Sequence, residues 1–380
     1  MTDSRVPLPV TRRAQVLEAL QRHGTVRVSD LTEALGVSAI TIRRDIAQLA
    51  EDGLVERVHG GVSLAPRDGS LEDDNEAIGS PASRLLPAGM RLGILVPSLD
   101  YYWPGVVEGA QEAAGDLDMT VILRASSYEA SDERPQLRRL IERLGADALV
   151  IAPRPDVPTA AATAEWLHET GLPTVLVERT ASYGPYHAAM ESVVTDHALG
   201  AAMAVRHLAG LGHARIGIVV TRHSPTGPHV HRGWVEAMSE SGLDTTATVD
   251  AAVPDARSDE WDAQLDAVLD SCLATRTTAL LVHADAEAMA LVQRWEERGL
   301  NVPADLSVVA YDDEAVRLFS PPLTAVRPPR RSIGRAAVEL AAARLADPDR
   351  PAHRLVISPS LRVRESTAAP GPSRAAEGAS

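Results

Sequence analysis

The sequence predicts an α/β protein: a small helical head closed by a β-hairpin, then a large body of two parallel-sheet lobes. Three observations carry this. The first 65 residues hold three short helical periods followed by two β-like runs around a His-Gly-Gly turn; from residue 91 short, almost continuously apolar runs alternate with helical stretches; and that alternation restarts once, after Val193. A length of 380 residues suits two or three domains. With 45% hydrophobic and 23% charged residues the balance is that of a globular protein, so disorder should be local.

Several classes are disfavoured at once. No apolar run approaches the roughly 20 residues a membrane helix needs, and the first residues, MTDSRVPLPVTRR, lack the apolar stretch of a signal peptide, so a cytoplasmic location without membrane contact is expected. The single Cys272 allows no internal disulfide and reads as a buried thiol. The net charge of −15 disfavours nucleic acid if taken whole, but residues 1–66 hold 8 Arg and 8 Asp or Glu, so the entire excess lies beyond them. The neutral head can still gather its arginines on one face.

The head begins with TRRAQVLEALQRHG, where Ala14, Leu17 and Leu20 have helical spacing and Gly24 marks a stop. VRVSDLTEALG follows, with Ser29 as its expected N-cap and Leu31 and Leu35 on one side. A third helix, SAITIRRDIAQLAEDG, is capped by Ser38 and turns Ile42, Ile46 and Leu49 to the core. Ile40, Thr41, Arg44 and Gln48 then lie on the opposite side, with Arg43 on the flank, the mixture of groups that base edges and phosphates require. LVERVHGGVSLA supplies the hairpin. The order is that of a winged helix-turn-helix. VSDLTEALGVSAITIRRDIAQLAEDGLVERVHGGV closely resembles the DNA-binding region of the DeoR family, whose signature joins a TIRRD recognition helix to an RVHGG wing. The resemblance implies that Ser38, Thr41, Arg43 and Arg44 address the major groove of double-stranded operator DNA, and that Arg57 and His59 approach the neighbouring backbone. The alternative is a helical protein-interaction module with a solvated Arg-Arg pair.

Residues 66–90 are acidic, aperiodic and rich in Pro, Gly and Ser, and read as a tether between a head at 1–65 and a body at 91–368; residues 369–380 read as a disordered tail. In the body, RLGILVP, MTVIL, DALVIAP and PTVLVER are strands separated by helical stretches, and RIGIVV, TALLVH and DLSVVAY repeat the plan. Two such lobes leave a cleft at the carboxyl ends of their strands. Tyr101, Tyr102 and Trp103 fall together at one such end in a chain with 3% aromatic residues, and other ends supply Glu178, Arg179, Arg232, Asp285, Asp312, Asp313 and Arg327. Aromatic faces stack on sugar rings while carboxylates and guanidinium groups bind hydroxyls, so the set suits a polyol.

HRGWVEAM, GLNVPADLSVVAYDDEAVRLFSPPLTAV and LVISPSLRVREST resemble the LacI/GalR effector domain, a relative of periplasmic sugar-binding proteins. That resemblance implies a two-lobed, periplasmic-binding-protein-like effector domain with parallel sheets, homodimerisation through the lobes, a small-molecule effector that is a sugar, and ligand roles for Tyr102, Trp103, Arg179, Arg232, Asp285, Asp312 and Arg327. The chain departs from it at Ala284 and His197, where Asn is usual, and at Arg327, often Gln. It therefore reads as a hybrid transcriptional regulator, a repressor by default, whose operator affinity is set by a saccharide between the lobes. A sugar phosphate is the second reading, disfavoured because no GxxxxGK[ST] loop occurs. No nucleophile and base stand together, so no enzymatic activity is expected. HSPTGPHVH places His223, His229 and His231 close together, but with no Cys or carboxylate at ligand spacing it reads as a solvated loop. No metal or cofactor is expected.

Overall fold

A computed structural model describes residues 16, 19–20, 25–35, 37, 41–42, 46, 49, 55–58, 61–64, 87, 89–126 and 132–371. The chain divides into two compact units, Met1–Ile78 and Gly79–Ser380.

In the first unit strand β1 (Thr25–Arg27) runs into helix α1 (Val28–Leu35), and β2 (Val55–Val58) and β3 (Gly61–Leu64) form the hairpin. α1 starts at Val28, which places Ser29 inside the helix and not at its cap. β3 pairs antiparallel with β2, Val58 facing Gly61, and with β1, making a three-stranded sheet. The strand before α1, TVR, was not legible in the sequence, because three residues carry too little periodicity. Val16, Leu20, Leu31, Ile42, Ile46, Leu49, Val55 and Val62 are buried together, so the helical period read from Ile42, Ile46 and Leu49 does face the core. Thr41 lies in the same helical run, half-buried. Ser38, Arg43, Arg44 and His59 lie outside the described residues, and Arg57 is described only as part of β2.

The second unit opens with β4 (Arg91–Val96), α2 (Trp103–Asp116), β5 (Thr120–Ala125), α3 (Arg134–Arg138), β6 (Ala148–Ile151), α4 (Ala160–Glu169) and β7 (Thr174–Val177). A small hairpin, β8 (Ser182–Tyr183) and β9 (Ala188–Ala189), leads to β10 (Glu191–Thr195). α5 (His197–Gly210) then carries the chain to a second sheet through β11 (Ile216–Thr221), α6 (Gly227–Glu240), β12 (Asp250–Val253), α7 (Trp261–Thr275), β13 (Ala279–Val282), α8 (Asp285–Glu297), β14 (Ser307–Tyr311) and β15 (Thr324–Arg327). α9 (Arg330–Ala346) returns to the first lobe, β16 (Arg354–Ile357) adds to its sheet and β17 (Ser360–Arg362) to the other. The sheets have the orders β16-β10-β7-β6-β4-β5 and β12-β11-β13-β14-β15-β17; every pairing is parallel except that of β15 with β17.

Parallel strands covered by helices on both sides must be apolar along their length, and Ala148–Ile151 and Ala279–Val282 are buried at every residue. The lobes are not successive in sequence. Ile333, Ala337, Val338 and Ala341 of α9 belong to the first-lobe core beside Val106 and Ala110 of α2. That return follows from side-chain complementarity with α2, a long-range property that local periodicity does not carry. Cys272 is buried in the second lobe, where burial pushes its thiol up to about 12. Among the described residues no helix is long and apolar enough to cross a membrane.

Candidate functional site

Between the lobes, at the carboxyl ends of both sheets, lies a cavity of about 760 Å³. Most of its wall follows strand ends: Tyr101, Tyr102 and Trp103 after β4, Arg154 after β6, Glu178 and Arg179 after β7, His197 after β10, Arg222 and His223 after β11, His283 after β13 and Asp312 after β14, with Glu287 added from α8. Side chains there are reached by ligand while the sheets stay rigid. Tyr101, Glu178, His223 and Asp312 also hold left-handed backbone, at φ of 63°, 55°, 60° and 96°. Such non-glycine conformations are strained and cluster where a site over-determines them.

The first-lobe wall is aromatic. Tyr102 and Trp103 meet edge to face with ring centroids 5.4 Å apart; the Arg179 guanidinium lies 5.8 Å from the Trp103 ring, and that of Arg330 5.6 Å from the Tyr102 ring. Behind it sits Glu178, accepting from Tyr102 Oη, Thr195 Oγ1 at 2.7 Å and Thr195 N at 2.9 Å, with His197 Nε2 at 3.2 Å. Burial alone would raise this carboxyl, but His197 and those donors outweigh it and hold it at about 2. His197 Nδ1 lies 3.0 Å from Tyr311 Oη, so the network crosses from the first lobe to the second. A second crossing joins the Asp285 backbone N–H to Tyr101 Oη at 3.2 Å.

The second-lobe wall holds carboxyl groups whose ionisation burial disfavours. Burial, with the charge of Asp285 nearby, pushes Asp312 up to about 8 although Arg330 opposes it, and burial also raises Glu287. The unfolded carboxyl has a value of 3.8, so the wild-type chain loses stability as pH rises from there to about 8, because ionisation is penalised only when folded. Asp312→Asn removes that loss and tolerates the positive φ. Its melting temperature should match the wild type near pH 4 and exceed it progressively towards pH 8; a constant offset across that range would contradict the burial of the charge.

Of the seven predicted ligand residues, the structure brings Tyr102, Trp103, Arg179 and Asp312 to the cavity and places three elsewhere. Arg232, on α6, is exposed and 3.8 Å from Glu236. Arg327 Nε donates to Asp313 Oδ2 at 2.7 Å, away from the wall. The Asp285 carboxylate accepts four backbone N–H groups, of Asp313, Glu314, Ala315 and Val316, and so shapes the loop that follows Asp312. Sequence reasoning missed His283 and Arg222, which directly follow apolar strands, Arg154, three residues beyond one, and His197 as a wall residue. His229 and His231 stand on α6 and not on a loop, and His231 Nε2 lies 2.9 Å from Asp250 Oδ2. Among the described residues no three metal-ligating groups converge.

Two family descriptions match: a DeoR-like helix-turn-helix domain over residues 12–67 and a periplasmic binding protein-like domain over residues 205–367. Joined in one chain, they define a DNA-binding transcriptional regulator with an effector-binding body. The chain is 32% identical over 286 residues to an uncharacterized HTH-type transcriptional regulator in the aml 5' region of Streptomyces limosus, covering 73% of this chain and 78% of that one. It is 28% identical over 281 residues to the HTH-type transcriptional repressor PurR of Photobacterium profundum, covering 72% and 80%. Among solved structures, a transcriptional regulator CelR–cellobiose complex superposes with a TM-score of 0.62 at 20% identity, covering 86% of this chain and 90% of that one. A LacI family regulator from Enterococcus faecium with bound ribose gives 0.60 at 23%, covering 73% and 99%. The chain belongs to the HTH-type transcriptional regulators, with a DeoR-like DNA-binding head and a periplasmic binding protein-like body.

Proposed function

We propose that this regulator is a homodimeric repressor, acting on DNA in the cytoplasm, whose operator affinity is controlled by an uncharged saccharide held between the lobes. The observation that carries the reading is the cavity itself: strand ends of both sheets converge on it, and they bring an aromatic wall opposite the buried carboxyl groups of Asp312 and Glu287. Rings stack on the C–H faces of a sugar while its hydroxyls take the carboxyl and imidazole groups. The bound ribose and cellobiose of the two structural neighbours support the same ligand class. The wall's Arg154 and Arg222 are already paired with Asp156 and Glu260, which disfavours a sugar phosphate. The cavity binds and does not catalyse, in keeping with relatives that are regulators.

Tyr102, Trp103, Arg179 and Asp312 contact the sugar. Bound between both walls, it favours the closed cleft and so changes the spacing of the two heads on their half-sites. Ser38, Thr41, Arg43 and Arg44 read the major groove, with Arg57 and His59 on the backbone. The test is to enrich duplexes from a randomised pool with the full chain, then ask whether a sugar that raises its melting temperature lowers retention of the selected DNA. Failure to enrich any sequence, or retention indifferent to that sugar, would overturn the reading. Arg44→Ala should weaken binding to the selected duplex by about 1–3 kcal/mol at fixed salt and leave stabilisation by sugar unchanged. Unchanged affinity would remove Arg44 from the interface.

A further inference from the structure

On the reading of the cavity as a saccharide site, we infer that His283 is an effector-reading residue, its imidazole bonding a sugar hydroxyl beside the one taken by Asp312, and that this pair admits an uncharged polyol in preference to a phosphate ester. His283 lines the cavity yet is only 5% exposed. Its main chain is held on both sides: its N–H donates to Val219 O at 2.8 Å and its carbonyl accepts from Thr221 Oγ1 at 2.9 Å. Its ring is not. Nδ1 is buried with no hydrogen-bond partner, and neither ring nitrogen bonds to any described residue. A buried polar atom left unpaired is destabilising, so a group that can complete it is bound with that cost relieved.

The chemistry of the missing partner follows from the surroundings. Burial, with the charge of His197 adding to it, pushes the His283 imidazole down to about 4, so at neutral pH it offers one N–H donor and one acceptor nitrogen. A hydroxyl, itself donor and acceptor, matches either. β13 and β14 are parallel neighbours with Val282 beyond Leu281↔Val309 and facing Ala310, so His283 lies opposite Tyr311, one residue before Asp312. Both residues follow the ends of these neighbouring strands and line one cavity, within reach of the same small ligand. The Asp312 carboxyl oxygens likewise receive no hydrogen bond from a described residue. Asp312 and Glu287 line the same wall, where burial already penalises negative charge, so a phosphate placed beside them would meet the same penalty. A neutral hydroxyl does not.

The full chain should be tested by thermal shift and calorimetry against ribose, maltose, cellobiose, ribose 5-phosphate and glucose 6-phosphate. At least one uncharged sugar is expected to stabilise the wild type. For that sugar, His283→Phe should raise Kd about 10- to 100-fold while the melting temperature without sugar stays level or rises, since an unpaired nitrogen has been removed. His283→Gln, which keeps a donor and an acceptor, should recover most of the affinity. His283→Ala keeps the test open if the phenyl ring overfills the site. Wild-type affinity in the Phe or Ala variant would overturn the role of His283 and leave the saccharide reading standing, as would a fall in sugar-free stability with Kd unchanged. Stabilisation by a phosphate ester alone, or by no compound of the set, would overturn the saccharide reading and this inference with it.

Discussion

Replacing Gly334 by alanine is expected to unfold the first lobe or cost on the order of 3 kcal/mol or more. A Cβ at this position would sit 1.9 Å from Val106 O and 2.7 Å from Ala110 N, both backbone atoms of α2. Neither can rotate away as a side chain could, so α9 and α2 must separate. Gly109 faces the reverse approach, its Cβ falling 2.0 Å from Arg331 O, and should behave alike. Gly115 is the control: it lies on the same helix with nothing within 4 Å of an added Cβ, and Gly115→Ala should be neutral or stabilising by about 0.5–1 kcal/mol. Thermal unfolding followed by circular dichroism separates the two outcomes. Equal melting temperatures for Gly334→Ala and Gly115→Ala would refute the close packing. The consequence reaches the cavity, because Arg330, at the start of α9, donates to Asp312 O at 2.6 Å and lies over Tyr102.

Asp285→Ala is expected to be nearly as severe. Its Oδ2 accepts from Glu314 N and Ala315 N at 2.7 Å and from Val316 N at 3.3 Å, and its Oδ1 from Asp313 N at 3.1 Å. Alanine leaves all four donors unpaired in a largely buried loop, a loss of about 3 kcal/mol or more when hydrogen bonds to a charged acceptor are worth about 1.5–3 kcal/mol each. The loop also positions Asp312, so stabilisation by sugar should vanish together with protection of the amides of residues 313–316 from hydrogen exchange. Asp285→Asn keeps one carbonyl oxygen but turns an NH₂ towards the same donors, and should fall between. If Asp285→Ala kept wild-type stability and lost only sugar binding, Asp285 would be a direct ligand and not an organiser of the loop.

The sequence by itself determined the parts whose physics is local. Ile42, Ile46 and Leu49 at helical spacing, and strand runs such as ALLV, announce which faces are buried, because a 3.6-residue period and an unbroken apolar run each fit one environment. The strand ends were legible for the same reason, and with them Tyr102, Trp103, Arg179 and Asp312. Tertiary structure decided what those ends do. Arg232, Asp285 and Arg327 carry the same charges as true wall residues, but Glu236, four backbone N–H groups and Asp313 claim them. His283 shows the converse: an unremarkable histidine in sequence becomes distinctive only because folding buries it without giving its Nδ1 a hydrogen-bond partner. Charge and residue type are properties of the chain, whereas being satisfied or unsatisfied is a property of neighbours that folding brings together, such as the backbone N–H groups of residues 313–316 around Asp285, and only the packed lobes settle it.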